Sequence, residues 1–109
     1  MTTVSFFTVG EKITGFSAKG HAGCGEAGND IVCAAITSAI RLAECTLNDV
    51  MGIGAKVDLK EDGHLKLKLP AECKLEAAQS VLMGLMLHLS DLRDEYPDYL
   101  EVLEVEQHA

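Results

Sequence analysis

The sequence predicts an α+β domain, ββαββαβ, in which two helices pack on a mostly antiparallel sheet. Three observations lead there. Extended, β-branched or alternating runs arrive in closely spaced pairs. Two stretches of helical length each carry an apolar stripe at spacings of three and four. The chain has 109 residues, of which 48% are hydrophobic and 24% charged, enough for one core, so residues 1–109 are expected to form a single domain.

From Thr3 to Val9 the residues are β-branched or aromatic, and Lys12 to Lys19 follows the Gly10-Glu11 break, which reads as a hairpin. A glycine-rich segment comes next. Asn29 or Asp30 can then cap a helix whose Val32, Ile36, Ala39, Ala43, Leu47 and Val50 recur at helical spacing, ending near Gly52. Ala55, Val57 and Leu59 alternate with lysines and Asp58, as do Leu65, Leu67 and Leu69 with Lys66 and Lys68. Asp62-Gly63 joins them into a second hairpin with one wet face. Pro70 stops that strand ahead of a second helix, whose Leu75, Ala78, Leu82, Leu85, Leu89 and Leu92 run to about Glu95, before Pro97. Tyr99 to Val105 closes the chain as a strand. Its alternation changes phase between Val102 and Leu103, which predicts a bulge or burial on both faces.

Nine Lys plus Arg against seventeen Asp plus Glu give a net charge of -8, which argues against direct binding to nucleic acid, since that binding is driven by cations that displace counterions. Charged residues interrupt the long apolar runs, so no membrane partner is expected. The opening MTTVSFFTVG lacks a basic n-region and an unbroken apolar h-region. A cytoplasmic location with four reduced thiols follows as the expectation.

Chemistry concentrates where Gly20, Gly23, Gly25 and Gly28 fall within nine residues, between a strand end and a helix start. With Asp30 as the cap, Cys33 would be the third helical residue, where unpaired N–H groups and the positive dipole end favour a thiolate. His21 lies twelve residues upstream across a glycine-rich loop. Its imidazole could reach the sulfur as a general base, and free N–H groups at the helix start could stabilise an oxyanion. The plainer alternatives are a packed small Cys among Ile31, Val32, Ala34 and Ala35, a solvated His, and Asp30 as a cap alone. Zinc on His21, Cys24, Cys33 and His64 or Cys73 is disfavoured by the missing second ligand pair. The chain has no Gly-Lys-Ser/Thr for a phosphate loop and no Cys-x-x-Cys for thiol redox chemistry. No cofactor is expected.

Gly20-His21-Ala22-Gly23, followed by a short loop and Asp30-Ile31-Val32-Cys33-Ala34-Ala35, resembles the ribosomal-processing cysteine protease family of bacteria. The early Ile13-Thr14-Gly15-Phe16 strand, the length and the order of elements resemble it too. Cys24 stands where the family's pattern suggests an aromatic residue, and Thr37 where Ser is common. The resemblance implies a Cys33 nucleophile, a His21 base and a supporting Asp30, with the Gly20–Gly28 loop closing over a peptide. It also implies a homodimer and a specific task. That task is removal of a short N-terminal extension from large-subunit ribosomal protein number twenty-seven, cut after an aromatic pair and before Ala. A rival of another class is a non-catalytic ribosome-assembly module, whose acidic surface would dock a basic protein. Ala77, Val81, Gly84 and His88 form a second stripe on the later helix, which faces either a partner copy or the first helix.

Overall fold

Five strands and two helices form in the predicted order, and in this computed structural model residues 1–20, 27–60 and 63–107 are described, with side chains of the first helix described from Ile31 onward. The strands are β1 (Thr2–Val9), β2 (Lys12–Lys19), β3 (Lys56–Leu59), β4 (Leu65–Lys68) and β5 (Leu100–Glu106), and the helices are α1 (Ala27–Cys45) and α2 (Glu76–Glu95).

The sheet runs β3-β4-β2-β1-β5. Both hairpins and the β2–β4 pair are antiparallel, and β5 lies parallel to β1. Each helix therefore sits in a crossover, α1 between β2 and β3 and α2 between β4 and β5. The two crossovers start from oppositely directed strands and move in opposite directions along the sheet. One hand of crossover thus places both helices on the same face, as the right-handed rule requires.

The register shows which side chains meet them. Val4, Ala18, Leu65 and Leu59 share one row and Phe6, Phe16, Leu67 and Val57 the next, all on the helix side. Phe6 and Phe16 stack tilted, with centroids 5.7 Å apart, and with Leu67, Leu82 and Leu89 they make the fully buried centre. The opposite face carries Ser5, Ser17, Lys66 and Asp58 in one row and Phe7, Gly15, Lys68 and Lys56 in another. Gly15 lets β4 approach: a Cβ there would stand 2.2 Å from the Leu67 carbonyl oxygen. Lys66 lies over the Phe7 ring, 5.5 Å from its centroid.

Two side-chain amides hold elements together where backbone ladders fail. The β1–β2 register shifts between Phe7 and Thr8, leaving Thr14 as the extra residue. Beside this bulge, the Ile13 N–H donates to Gln79 Oε1 at 2.7 Å, and Gln79 Nε2 donates to the Ile13 carbonyl at 2.8 Å, which ties β2 to α2. Asn48 does the same for Ala55, accepting its N–H at 2.7 Å and donating to its carbonyl at 3.0 Å. This joins the end of the first helical segment to the entry of β3. Between them, α1 passes into a π-turn over Thr46–Val50, and Gly52 turns the chain away at φ 66°.

Several expectations are corrected. The first helix begins at Ala27, so Asp30 is not its cap and Gly28 is helical rather than part of a loop. The helix starts earlier although Gly28, Asn29 and Asp30 are weak helix formers, because packing of the apolar face that follows outweighs local propensity. Val50 is 76% exposed, and Ile40, absent from the predicted stripe, is buried. Leu75 stands outside α2 in an extended conformation and is exposed. The phase change in the last strand is neither a bulge nor double burial. β5 keeps an unbroken register with β1, and Leu103 and Val105 lie on the open face, 41% and 38% exposed. By length and composition Ile31–Val50 could cross a membrane, against the expectation from its charges. In this fold Val32, Ile36, Ile40, Ala43 and Leu47 are buried in the core, which accounts for the apolar content.

Candidate active site

Cys33 is half-buried on α1, one residue beyond the buried Val32, so its side chain flanks the core stripe rather than entering it. That offset places it at a groove of about 660 Å³ between α1 and the sheet. One wall is α1, through Cys33, Ile36 and Ile40. The facing wall combines Ala18 and Gly20 at the end of β2 with Val57, Leu59 and Leu65 of the second hairpin.

Gly20 is required at this wall by the backbone. Its φ is 82°, and a Cβ would come within 2.5 Å of the Met1 carbonyl oxygen. The Thr2 hydroxyl donates to the Gly20 carbonyl at 3.5 Å, which fixes the strand exit against the N-terminus. Of the four glycines assigned to the loop, Gly20 thus ends β2 and Gly28 lies in α1. Gly23 and Gly25 lie outside the described residues, as do His21 and Cys24. His21 follows Gly20 directly in sequence, and Gly20 lines the same groove as Cys33.

The helical position of Cys33 changes one part of the chemistry. It is the seventh residue of α1 rather than the third. The stabilising effect of a helix N-terminus fades within the first turn, and Cys33 stands beyond that turn. The other described thiols, Cys45 and Cys73, are placed apart. Cys73 is half-buried in a separate depression beside Ile53, Pro70 and Leu75. Cys45 is exposed, and its thiol is pushed above the usual value by a hydrogen bond to Asp49, with smaller effects of burial and of the Asp49 and Glu44 charges. Among the described residues, no three His, Cys, Asp or Glu side chains gather as metal ligands.

Sequence reasoning did not single out Arg41 or Glu44, which also line the groove. The signal was present as spacing: Cys33, Thr37 and Arg41 recur every four residues, and Glu44 follows three later. The stripe Ala77, Val81, Gly84 and His88 neither packs fully on α1 nor stands alone. Its Val81, Gly84 and His88 border a second groove, about 520 Å³, whose other bank is Ala35, Ala39 and Leu42 of α1.

Comparison with known proteins places this geometry. The crystal structure of SMU.848 from Streptococcus mutans superposes with a TM-score of 0.90 at 22% identity, covering 98% of this chain and 96% of the other. The ribosomal processing protease Prp from Staphylococcus aureus, solved with a covalently linked product peptide, superposes with a TM-score of 0.83 at 24% identity, covering 95% and 99%. These show the shared fold. At the sequence level, the ribosomal processing cysteine protease Prp of Bacillus subtilis strain 168 is 31% identical over 94 residues, 83% of this chain and 84% of that protein. Residues 1–101 match the family described as cysteine protease Prp. A chain with this fold, a half-buried cysteine in a groove between helix and sheet, and a match over nearly its whole length belongs to the Prp family of ribosomal processing cysteine proteases.

Proposed function

We propose that this protease removes the N-terminal extension of large-subunit ribosomal protein twenty-seven in the cytoplasm, with Cys33 as nucleophile and His21 as base. The observation that carries the reading is the position of Cys33 in the groove between α1 and the β2 end, on the same groove as Gly20. The groove is lined mainly by apolar side chains, which suits an extended peptide with apolar or aromatic residues. The solved Staphylococcus aureus relatives hold a substrate peptide and a covalently linked product peptide, which supports the same use here.

The reaction is acyl transfer. His21 takes the proton of the Cys33 thiol, the sulfur attacks the scissile carbonyl, and the C–N bond breaks as His21 returns the proton to the leaving amine. Water, deprotonated by His21, then attacks the thioester and frees the carboxylate and the thiol. Activation falls to His21 because Cys33 lies beyond the first turn of α1. A peptide with an aromatic pair before Ala, taken from the ribosomal protein of the same organism, is the substrate for the test. Cys33→Ala should lower cleavage by about a thousandfold or more and leave the thermal midpoint nearly unchanged, and His21→Ala should act in the same direction. Full cleavage by Cys33→Ala removes Cys33 from the mechanism.

The protein acts, in this reading, as a homodimer paired across the groove between α1 and α2, where Leu42 is 69% exposed and Gly84 leaves open space. Sedimentation at micromolar concentration should give twice the 11.7 kDa chain mass. A species of chain mass would sink the dimer.

A further inference from the structure

The net charge of -8 is not spread evenly, and the open face of the sheet carries the opposite sign. The pairing of β2 with β1 and β4, and of β3 with β4, places Lys12, Lys19, Lys56, Lys66 and Lys68 on that face, away from the helices. These are five of the nine Lys and Arg in the chain, and all five are exposed. Of the seventeen acidic residues, the strands place Asp58 and Glu101 there. Among the described residues, none of the five lysines forms an ion pair. Lysine on an edge strand guards against unwanted strand pairing. That accounts for Lys56 on β3, but β2 and β4 lie inside the sheet, so it does not account for the other four.

Beside the lysines the face is apolar. Phe7 stands half-buried in the row of Lys56, Lys68 and Gly15, and Val105 follows it on β5. Leu103, next to Ser5, extends this area, and Leu103 and Val105 are 41% and 38% exposed. Lys66 lies over the Phe7 ring, at the seam between the two zones. A shallow depression of about 60 Å³ opens there, lined by Phe7, Thr14, Lys66, Lys68 and Gln107 among others. A band of cations thus runs along an aromatic and aliphatic platform, on a sheet whose other face is covered by both helices.

We propose that this face binds single-stranded RNA, with phosphates on the lysine band and unpaired bases over Phe7, Leu103 and Val105. Charge complementarity supplies the attraction, because each lysine that meets a phosphate releases a counterion. The platform selects the kind of polyanion. Unpaired bases stack on aromatic and apolar side chains of an open sheet whatever their sequence, whereas a duplex keeps its bases inside. RNA is the nucleic acid that a ribosomal processing protease meets. The Cys33 groove lies on the helix side, so a peptide and an RNA strand can be held at the same time. The total charge of the chain opposes such binding only where charges are evenly mixed, and here the cations are gathered on one face.

The test is fluorescence anisotropy of a short labelled single-stranded RNA of mixed sequence, titrated with the whole protein. At about 50 mM salt the Kd should lie between about 1 and 100 μM, with a log–log salt slope of about -2 to -3, as three or four phosphate contacts on a single strand require. Lys66→Gln combined with Lys68→Gln should weaken binding about tenfold and flatten the slope. Lys74→Gln combined with Arg93→Gln removes the same charge from elsewhere and should change Kd by less than about twofold. Phe7→Leu keeps an apolar side chain but removes the ring, and should weaken binding about threefold or more. Circular dichroism should show every variant folded as the wild type. Absence of binding by the wild type overturns the proposal, and so does an equal loss in the two double variants. Equally tight binding of the same sequence as a duplex removes the stacking platform and overturns it too. Competition by a polyglutamate peptide as strong as by unlabelled RNA would assign the face to an acidic protein instead.

Discussion

The two helices are nearly equal in length, 19 and 20 residues, yet they do different work. Helix α2 buries Ala78, Leu82, Leu85 and Leu89 on the sheet, and the clamp from Gln79 to Ile13 sits on the same side. Helix α1 buries Val32, Ile36, Ile40 and Ala43, and beside that stripe runs a second one of Cys33, Thr37, Arg41 and Glu44. The sheet covers the first stripe, and the second borders the groove. A helix whose neighbouring strands leave one flank uncovered can carry chemistry without surrendering core contacts. The two functions are displaced by one residue, about 100° around the helix axis.

This contrast can be broken from either side. The largest effect is expected at Cys33, where alanine should remove cleavage while folding survives, because the stripe that holds α1 in place is intact. Leu89→Ala in α2 should do the opposite. Its side chain is fully buried, so truncation should cost about 2–5 kcal/mol in chemical denaturation. The fraction that remains folded should cleave with the wild-type kcat. A loss of kcat beyond the loss of folded protein would show that α2 reaches the site after all.

The smallest effect concerns reactivity within α1 itself. Cys45 is exposed, and the hydrogen bond to Asp49 pushes its thiol above the usual value. A raised thiol value means fewer thiolates at neutral pH, so the pH curve for iodoacetamide labelling of Cys45 should have its midpoint above that of an ordinary thiol. Asp49→Asn removes the charge and the carboxylate acceptor and should move that midpoint down. Residue-resolved mass spectrometry over pH 7–10 reads both. In the wild type near pH 7, Cys33 should label first if His21 activates it, and uniform slow labelling would weaken that role.

Much of the architecture was legible before any coordinates, because alternation and helical spacing report which side of an element meets the core. Strand β1 shows Val4 and Phe6 on one side, and α2 shows leucines every three or four residues. The errors have a common cause. Val50 and Leu75 are apolar and in phase, but they stand at ends where the chain has already turned away, and local spacing carries no record of that. The alternation of β5 was misread because an apolar residue on the open face looks the same in sequence as one in a core.

The pairing of Cys33 with a nearby histidine was suggested by motif and spacing. The position of Cys33 within its helix was not, because the start of α1 depends on where the chain leaves β2. By itself the sequence determined the order of elements and most of the core stripes, since these depend on local dihedral preference and on apolar residues recurring at the period of each element, and its motif named the nucleophile candidate. The tertiary structure decided that β5 lies parallel beside β1, that Gln79 clamps the distant Ile13 backbone, and that the end of β2 and the second hairpin face Cys33 across a groove. Those features depend on contacts between residues far apart in the chain, which packing of the whole sheet and both helices fixes together and no local pattern encodes.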